Sequence, residues 1–114
     1  MVNVRDCGIL SRIIERSLRI ESVIKDLNSD DFNTNEDAQD LVCFNIFQIG
    51  ELTKNLSEEF ISQFNAVPWH KIKGLRNIIG RGYGTIEWDR LWETASKDIK
   101  TLRLYCEEIL NNNS

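Results

Sequence analysis

The sequence predicts an all-α fold, a bundle of four long helices and one short helix. In the long helical segments, apolar residues recur every three or four positions, as they do on the buried face of an amphipathic helix. No segment combines two-residue alternation with the β-branched residues that strands favour. With 114 residues, the chain is expected to form a single domain over residues 1–114, with a frayed tail at residues 111–114.

The first two long helices are separated by a polar connection. The first is predicted from Val4 to about Leu27, with Asn3 as its N-cap. In the connection, Phe32 is expected to pack under the helices. The second is predicted from Asn35 to about Leu56. It is apolar over more than one side, which is typical of a helix at the centre of a bundle or at a dimer interface.

Asn45 is a polar residue on the apolar face of this second helix, four residues from both Leu41 and Ile49. A buried amide needs hydrogen-bond partners. Two interpretations are equally open. Asn45 either satisfies a backbone carbonyl or a helix end inside the core, or it supports a functional site.

Capping residues and glycines set the boundaries of the remaining helices. A short helix is predicted over residues 57–64. The next begins at Pro68, whose missing N–H is not needed in a first turn, and ends near the glycines at Gly80 and Gly82. The last helix starts at residue 85 or 87 and reaches about residue 110.

A short basic stretch, Leu75-Arg76-Asn77-Ile78-Ile79-Gly80-Arg81-Gly82-Tyr83-Gly84, stands out in this acidic chain. From Phe60 to Ile86 there is no Asp or Glu, although the whole chain has a formal net charge of −4. Such a local excess of positive charge points to a site for phosphate or carboxylate rather than to the broad basic face of a duplex-DNA binder. Taken alone, the residues slightly favour a solvated basic surface.

Several kinds of site are not indicated. The three cysteines, Cys7, Cys43 and Cys106, stand apart from one another, and His70 is the one histidine. We therefore expect reduced thiols, no metal and no cofactor. No Ser-His-Asp arrangement, P-loop or dinucleotide fingerprint is present. No apolar run reaches the length of a membrane span or signal peptide, so a cytoplasmic protein is expected.

The basic stretch resembles the Arg-x4-His-x-Tyr motif of HepT-type HEPN proteins. The resemblance extends along nearly the whole chain, through Pro68-Trp69, Leu91-Trp92-Glu93-Thr94, the second-helix segment of residues 45–51 that ends in Ile49-Gly50-Glu51, and Leu56-Ser57-Glu58-Glu59-Phe60. Several separated motifs in the same order are more specific than the short arginine motif alone.

This resemblance implies a HEPN bundle that forms a homodimer, in which motifs from two subunits line one cleft. It implies the toxin of a toxin–antitoxin pair, which cuts RNA without a metal. The implied partner is a minimal nucleotidyltransferase antitoxin that adds AMP to the motif tyrosine. Carried over to this sequence, Arg76 and Arg81 are the catalytic positions, Asn77 and Asn45 support them, and Tyr83 accepts AMP.

Arg81 departs from the family pattern, because it stands where the family has histidine. Cleavage by the neighbouring 2′-OH needs a group that exchanges protons near neutral pH. Histidine, with a pKa of roughly 6.5, does this, whereas arginine, with a pKa above about 12, does not. Arg81 can still bind a phosphate. Two hypotheses follow: a weakened ribonuclease toxin, or a degenerate binding module that keeps the dimer, the RNA site and the nucleotidyltransferase partner.

Overall fold

The computed structural model describes residues 2–82, 84 and 86–112, and within these residues the chain is helical and has no strand. This confirms the all-α prediction. The elements in chain order are α1 (Val4–Ile24), α2 (Ser29–Thr34), α3 (Glu36–Lys54), α4 (Glu58–Gln63), α5 (Trp69–Gly80), α6 (Trp88–Glu93), a π-helical turn (Thr94–Asp98) and α7 (Ile99–Asn112). None of these helices has the length and apolar character of a membrane span.

Helix α1 begins as predicted and ends earlier. The Asn3 side chain accepts a hydrogen bond from the Asp6 N–H at 2.7 Å, so Asn3 is the N-cap. The helix ends at Ile24 rather than near Leu27. Its buried face includes Leu10, Ile13, Ser17, Ile20 and Ile24.

The predicted connection between the first two long helices contains a second short helix, α2. Asn28 and Asp31 form a reciprocal capping box: Asn28 Oδ1 accepts from the Asp31 N–H at 2.8 Å, and Asp31 Oδ2 accepts from the Asn28 N–H at 3.2 Å. Phe32 is buried, as predicted, with its ring 6.3 Å from that of Trp88 and 5.4 Å from that of Trp92. Helix α2 therefore holds Phe32 against the helix that starts at Trp88.

Helix α3 is the central element, because it packs against α1 on one side and α5 on the other. Near the start of α1, the buried Asp6 carboxylate accepts hydrogen bonds from the Ser57 N–H at 3.1 Å and the Ser57 hydroxyl at 2.7 Å, just beyond the end of α3. Further along α1, Arg16 bonds to Asn45. Helices α1 and α3 are therefore antiparallel.

The long helix predicted after residue 85 is continuous from Trp88 to Asn112 but is widened by the π-helical turn at Thr94–Asp98. Its buried face includes Leu91, Ala95, Ile99, Leu102, Cys106 and Ile109, as the helical spacing predicts. Burial raises the pKa of the Cys106 thiol to about 12, which keeps it protonated at neutral pH. In this position it is a small packing residue.

A charged pair joins α7 to α1. Arg103 Nε donates to Glu21 Oε2 at 2.5 Å and Arg103 Nη2 donates to Glu21 Oε1 at 3.0 Å, so the contact is bidentate. These hydrogen bonds to Glu21 raise the pKa of Arg103. Arg103 Nη1 also donates to Glu107 at 2.7 Å. The pair connects residues 82 positions apart in the sequence.

Candidate functional site

The candidate site is built around Arg76, on the side of α5 that faces α3. Its Nε donates to Glu51 Oε1 at 2.5 Å, and its Nη2 contacts the same oxygen. Its guanidinium carbon lies 4.9 Å from the centre of the Phe47 ring. A charge-assisted hydrogen bond and a cation–π contact together fix both the direction and the plane of the guanidinium. We call Arg76, Glu51, Phe47 and Gly50 the arginine clamp.

Gly50 gives Arg76 access to this position. A Cβ atom built on Gly50 would lie 2.3 Å from Arg76 Cβ and 2.6 Å from Arg76 Cγ, distances that non-bonded carbon atoms do not reach. Glycine therefore allows α5 to cross α3 at close range here. Gly50 and Glu51 lie three and four positions after Phe47, which places both on the same face of α3 as Phe47.

Asn77 completes the contacts of Arg76. Arg76 Nη1 donates to Asn77 Oδ1 at 3.1 Å. The structure thus brings together Arg76 and Asn77, two of the residues that the sequence singles out. The side chain of Arg76 is 28% exposed. With five N–H donors, a guanidinium held by Glu51 on one edge can still present N–H groups to an anion from solvent.

Arg81 lies at the end of α5 and is exposed. Its N–H donates to the carbonyl of Ile78 at 3.2 Å, and the N–H of Gly82 donates to that of Ile79 at 3.1 Å. Gly82 has φ +106°, a left-handed conformation that favours glycine and stops the helix. This confirms the predicted end of α5. Arg81 is not among the contacts of Arg76; it lies on another side of α5.

There it borders a cleft of about 210 Å³ between α5 and α6. The floor of this cleft is apolar and its edge carries two arginines and one carboxylate; the lining residues are Leu75, Ile78, Ile79, Arg81, Ile86, Glu87, Arg90 and Leu91. Tyr83, the predicted AMP acceptor, lies outside the described residues.

Asn45 is buried on a different face of α3, the face that packs against α1. Its Nδ2 donates to the Leu41 carbonyl at 2.8 Å, and its Oδ1 accepts from Arg16 Nη1 at 3.4 Å. The bond to the Leu41 carbonyl is the first of the two interpretations of the sequence, in which Asn45 satisfies a backbone carbonyl inside the core. The structure does not bring Asn45 into the arginine clamp.

The segment of residues 45–51 carries part of the family resemblance, but sequence reasoning assigned no role to Phe47, Gly50 or Glu51 within it. One signal was available: a glycine inside a helix costs about 1 kcal/mol relative to alanine, so an interior glycine calls for a packing reason. Arg76, which packs against Gly50, lies 26 positions later in the chain, and no feature of the sequence predicts that the two residues meet. Within the part of the chain that the structure describes, no group of three or more His, Cys, Asp or Glu side chains could hold a metal ion.

Comparisons with known proteins identify the family. The sequence model of the family described as ribonuclease HepT-like matches residues 13–109. The chain is 40% identical over 101 residues to the Methanocaldococcus jannaschii protein named "Gamma-glutamylcyclotransferase and putative RNase", in an alignment that covers 89% of this chain and 44% of that protein. It is 39% identical over 62 residues to a "Putative RNase" of Caldanaerobacter subterraneus, covering 54% of this chain and 55% of the relative.

A third relative, the "Probable ribonuclease HepT" of Thermococcus cleftensis, is 27% identical over 94 residues, which cover 82% of this chain and 86% of the relative. No solved structure matches the chain. The chain spans about half the length of the first two relatives. The family match covers most of the sequence and includes both the arginine clamp and the basic stretch. The chain therefore belongs to the HepT-like ribonuclease family.

Proposed function

We propose that this protein is the toxin of a toxin–antitoxin pair, a metal-independent endoribonuclease that acts as a homodimer. The observation that carries the proposal is the arginine clamp, which holds Arg76 in a fixed orientation and partly exposed, in a chain of a ribonuclease family. A guanidinium that is oriented before the substrate arrives can bind a phosphate without further loss of side-chain freedom.

The proposed reaction is attack of the ribose 2′-OH on the neighbouring phosphorus. Negative charge grows on the phosphoryl oxygens during this step, and a fixed guanidinium stabilises that charge more than it stabilises the ground state. Arg76 has this role in our proposal. Arg81 makes a second contact with the RNA backbone from the exposed end of α5, and Asn77 orients Arg76 through its 3.1 Å hydrogen bond.

An exposed apolar face on α3 supports the homodimer. Leu41 is 38% exposed and Phe44 is 55% exposed, and the half-buried Phe47 of the arginine clamp lies one turn further along the helix. A second copy that covered this face would bury these side chains and place two arginine clamps near one interface. Asn45, beside Phe44, then supports the site by fixing α3 against α1.

The first test is the dependence of RNA cleavage on Arg76. We expect Arg76→Ala to lower the cleavage rate by about 10²–10³-fold, the effect of removing one fixed donor to a developing oxyanion. The control is Arg19→Ala, which removes the same charge from a pair that is mostly exposed. Cleavage of labelled RNA in the presence of EDTA gives the rates. Equal rates for the two variants would contradict the assignment.

The second test concerns regulation. The proposed partner is a minimal nucleotidyltransferase antitoxin, which transfers AMP from ATP to the hydroxyl of Tyr83. The tyrosine follows a glycine turn beside Arg81, whose guanidinium can bind the triphosphate. After incubation with such a transferase and ATP, mass spectrometry of peptides should locate AMP on Tyr83. A Tyr83→Phe variant that is still modified would rule out this acceptor.

One observation favours a second function. The resemblance to the Arg-x4-His-x-Tyr motif places Arg81 where that motif has histidine, and a guanidinium is poorly suited to proton exchange near neutral pH. A protein that binds RNA and the nucleotidyltransferase without cleaving RNA would fit this replacement. In that case RNA binding would weaken steeply with salt, whereas no RNA product would form.

A further inference from the structure

Resting on the proposed ribonuclease function, we propose that Glu51 is a catalytic residue, the base that accepts the 2′-OH proton of the RNA. The reaction needs a proton acceptor beside the phosphate. The arginine clamp contains a carboxylate in contact with the guanidinium proposed to hold that phosphate.

The residues in contact with Arg76 include one group that can accept the 2′-OH proton. Among the described residues, the Arg76 guanidinium bonds to Glu51 and Asn77 and lies over the Phe47 ring. A phenyl ring and a side-chain amide do not accept a proton at neutral pH, whereas a carboxylate does. His70 lies six residues before Arg76, about 9 Å along the axis of α5. Glu51 is thus the group of this site suited to general-base catalysis.

The geometry of Glu51 fits this role. Both contacts from Arg76 fall on Oε1, and neither involves Oε2. The side chain of Glu51 is 37% exposed, so substrate can approach it. A phosphate bound to the remaining N–H groups of Arg76 would bring the adjacent ribose to the edge of the same carboxylate. A base must lie within hydrogen-bond reach of the proton that it removes, and Oε2 can meet this condition.

The proposed step is a transesterification at phosphorus. The 2′-O–H bond breaks and its proton moves to Glu51 Oε2, while the 2′-oxygen forms a bond to phosphorus. The P–O5′ bond breaks, and the leaving 5′-oxygen takes a proton from water. The products are a 2′,3′-cyclic phosphate and a 5′-hydroxyl end, and Glu51 returns its proton to solvent. The step needs neither an oxidant nor a metal.

The decisive variant is Glu51→Gln, in which the amide oxygen can still accept the hydrogen bonds of Arg76 but no group accepts a proton. We expect cleavage to fall by about 10²–10⁴-fold, whereas RNA binding and the thermal midpoint stay near native. The matched control is Glu107→Gln. Glu107 is also a carboxylate bonded to an arginine, at 2.7 Å, but it lies on α7 away from the site. We expect the control to cleave RNA at the native rate.

A second variant, Glu51→His, separates catalysis from positioning. An imidazole has a higher reference pKa than a carboxylic acid, roughly 6.5 against 4.3. If residue 51 is the base, the acid limb of the pH–rate profile should move to higher pH in this variant. A residue that only positions Arg76 would lower the rate and leave that limb in place.

The outcomes are distinct. Native cleavage with an equally active Glu51→Gln variant overturns the role of Glu51 and leaves the proposed function intact. Loss of RNA binding together with cleavage in Glu51→Gln, or an unmoved acid limb in Glu51→His, shows a structural role and also overturns it. Absence of cleavage by the native protein overturns both proposals.

Discussion

Replacing Arg81 by histidine is expected to raise the rate of RNA cleavage by about 10²–10⁴-fold, the usual contribution of general acid–base catalysis. Glu51 is proposed to remove the 2′-OH proton, but the leaving 5′-oxygen takes its proton from water in the native protein. In the proposed homodimer the RNA backbone contacts both Arg76 and residue 81, so an imidazole at position 81 can donate that proton near neutral pH, whereas a guanidinium does not. The gain should appear in RNA cleavage and in growth arrest on expression.

The controls for this substitution come from the same cleft and from the clamp. Arg90→His places an imidazole at the other arginine of the cleft between α5 and α6, and it should bring no gain. Adding Arg76→Ala to Arg81→His should abolish the gain, because the phosphate would lose its fixed contact. If the native protein cleaves RNA through Arg76 and Arg81→His adds nothing, another group already protonates the leaving oxygen.

Gly50→Ala is expected to destabilise the fold and to disrupt the arginine clamp. The new Cβ would lie 2.3 Å from Arg76 Cβ, an atom that cannot move without its helix. Overpacking of this kind costs about 1–3 kcal/mol, and the better helix propensity of alanine offsets about 1 kcal/mol of it. We expect a net loss of up to about 2 kcal/mol of unfolding free energy, and a lower cleavage rate, because α5 must move away from Glu51.

Gly74→Ala is the matched control, since Gly74 lies inside α5 and a Cβ built there has no neighbour within 4 Å. This substitution should stabilise the protein by up to about 1 kcal/mol, through helix propensity alone. Urea unfolding followed by circular dichroism measures both changes. If both substitutions changed the unfolding free energy in the same direction, the close crossing of α3 and α5 at Gly50 would not be the cause of the change.

The fold could be predicted from the sequence because the features that determine its helices act within a few residues. Asn3, the spacing of apolar residues along α1 and the glycine at position 82 each act within a few residues, and each prediction is confirmed. Helix α2 was also signalled locally, by the capping box between Asn28 and Asp31, but its polar composition pointed to a loop.

The candidate site was only partly accessible, because its key contacts join distant parts of the chain. The basic stretch marked Arg76 and Asn77, and these two do lie in contact. The pairing of Arg76 with Glu51 spans 25 positions and depends on how α3 crosses α5, which helical spacing does not determine. The helical spacing predicted that Asn45 lies on a buried face of α3. It did not predict that this face packs against α1.

The bidentate pair between Glu21 and Arg103 has a consequence for protein synthesis. Helix α1 leaves the ribosome before its partner α7, which is the last of the described helices to be made. Until α7 is made, the apolar face of α1 lacks this partner. An uncovered apolar surface is prone to aggregate or to be bound by chaperones. The basic stretch therefore emerges before the contact that closes the bundle on α1. A nascent chain therefore carries the residues proposed to contact RNA for a short time before it has a finished fold.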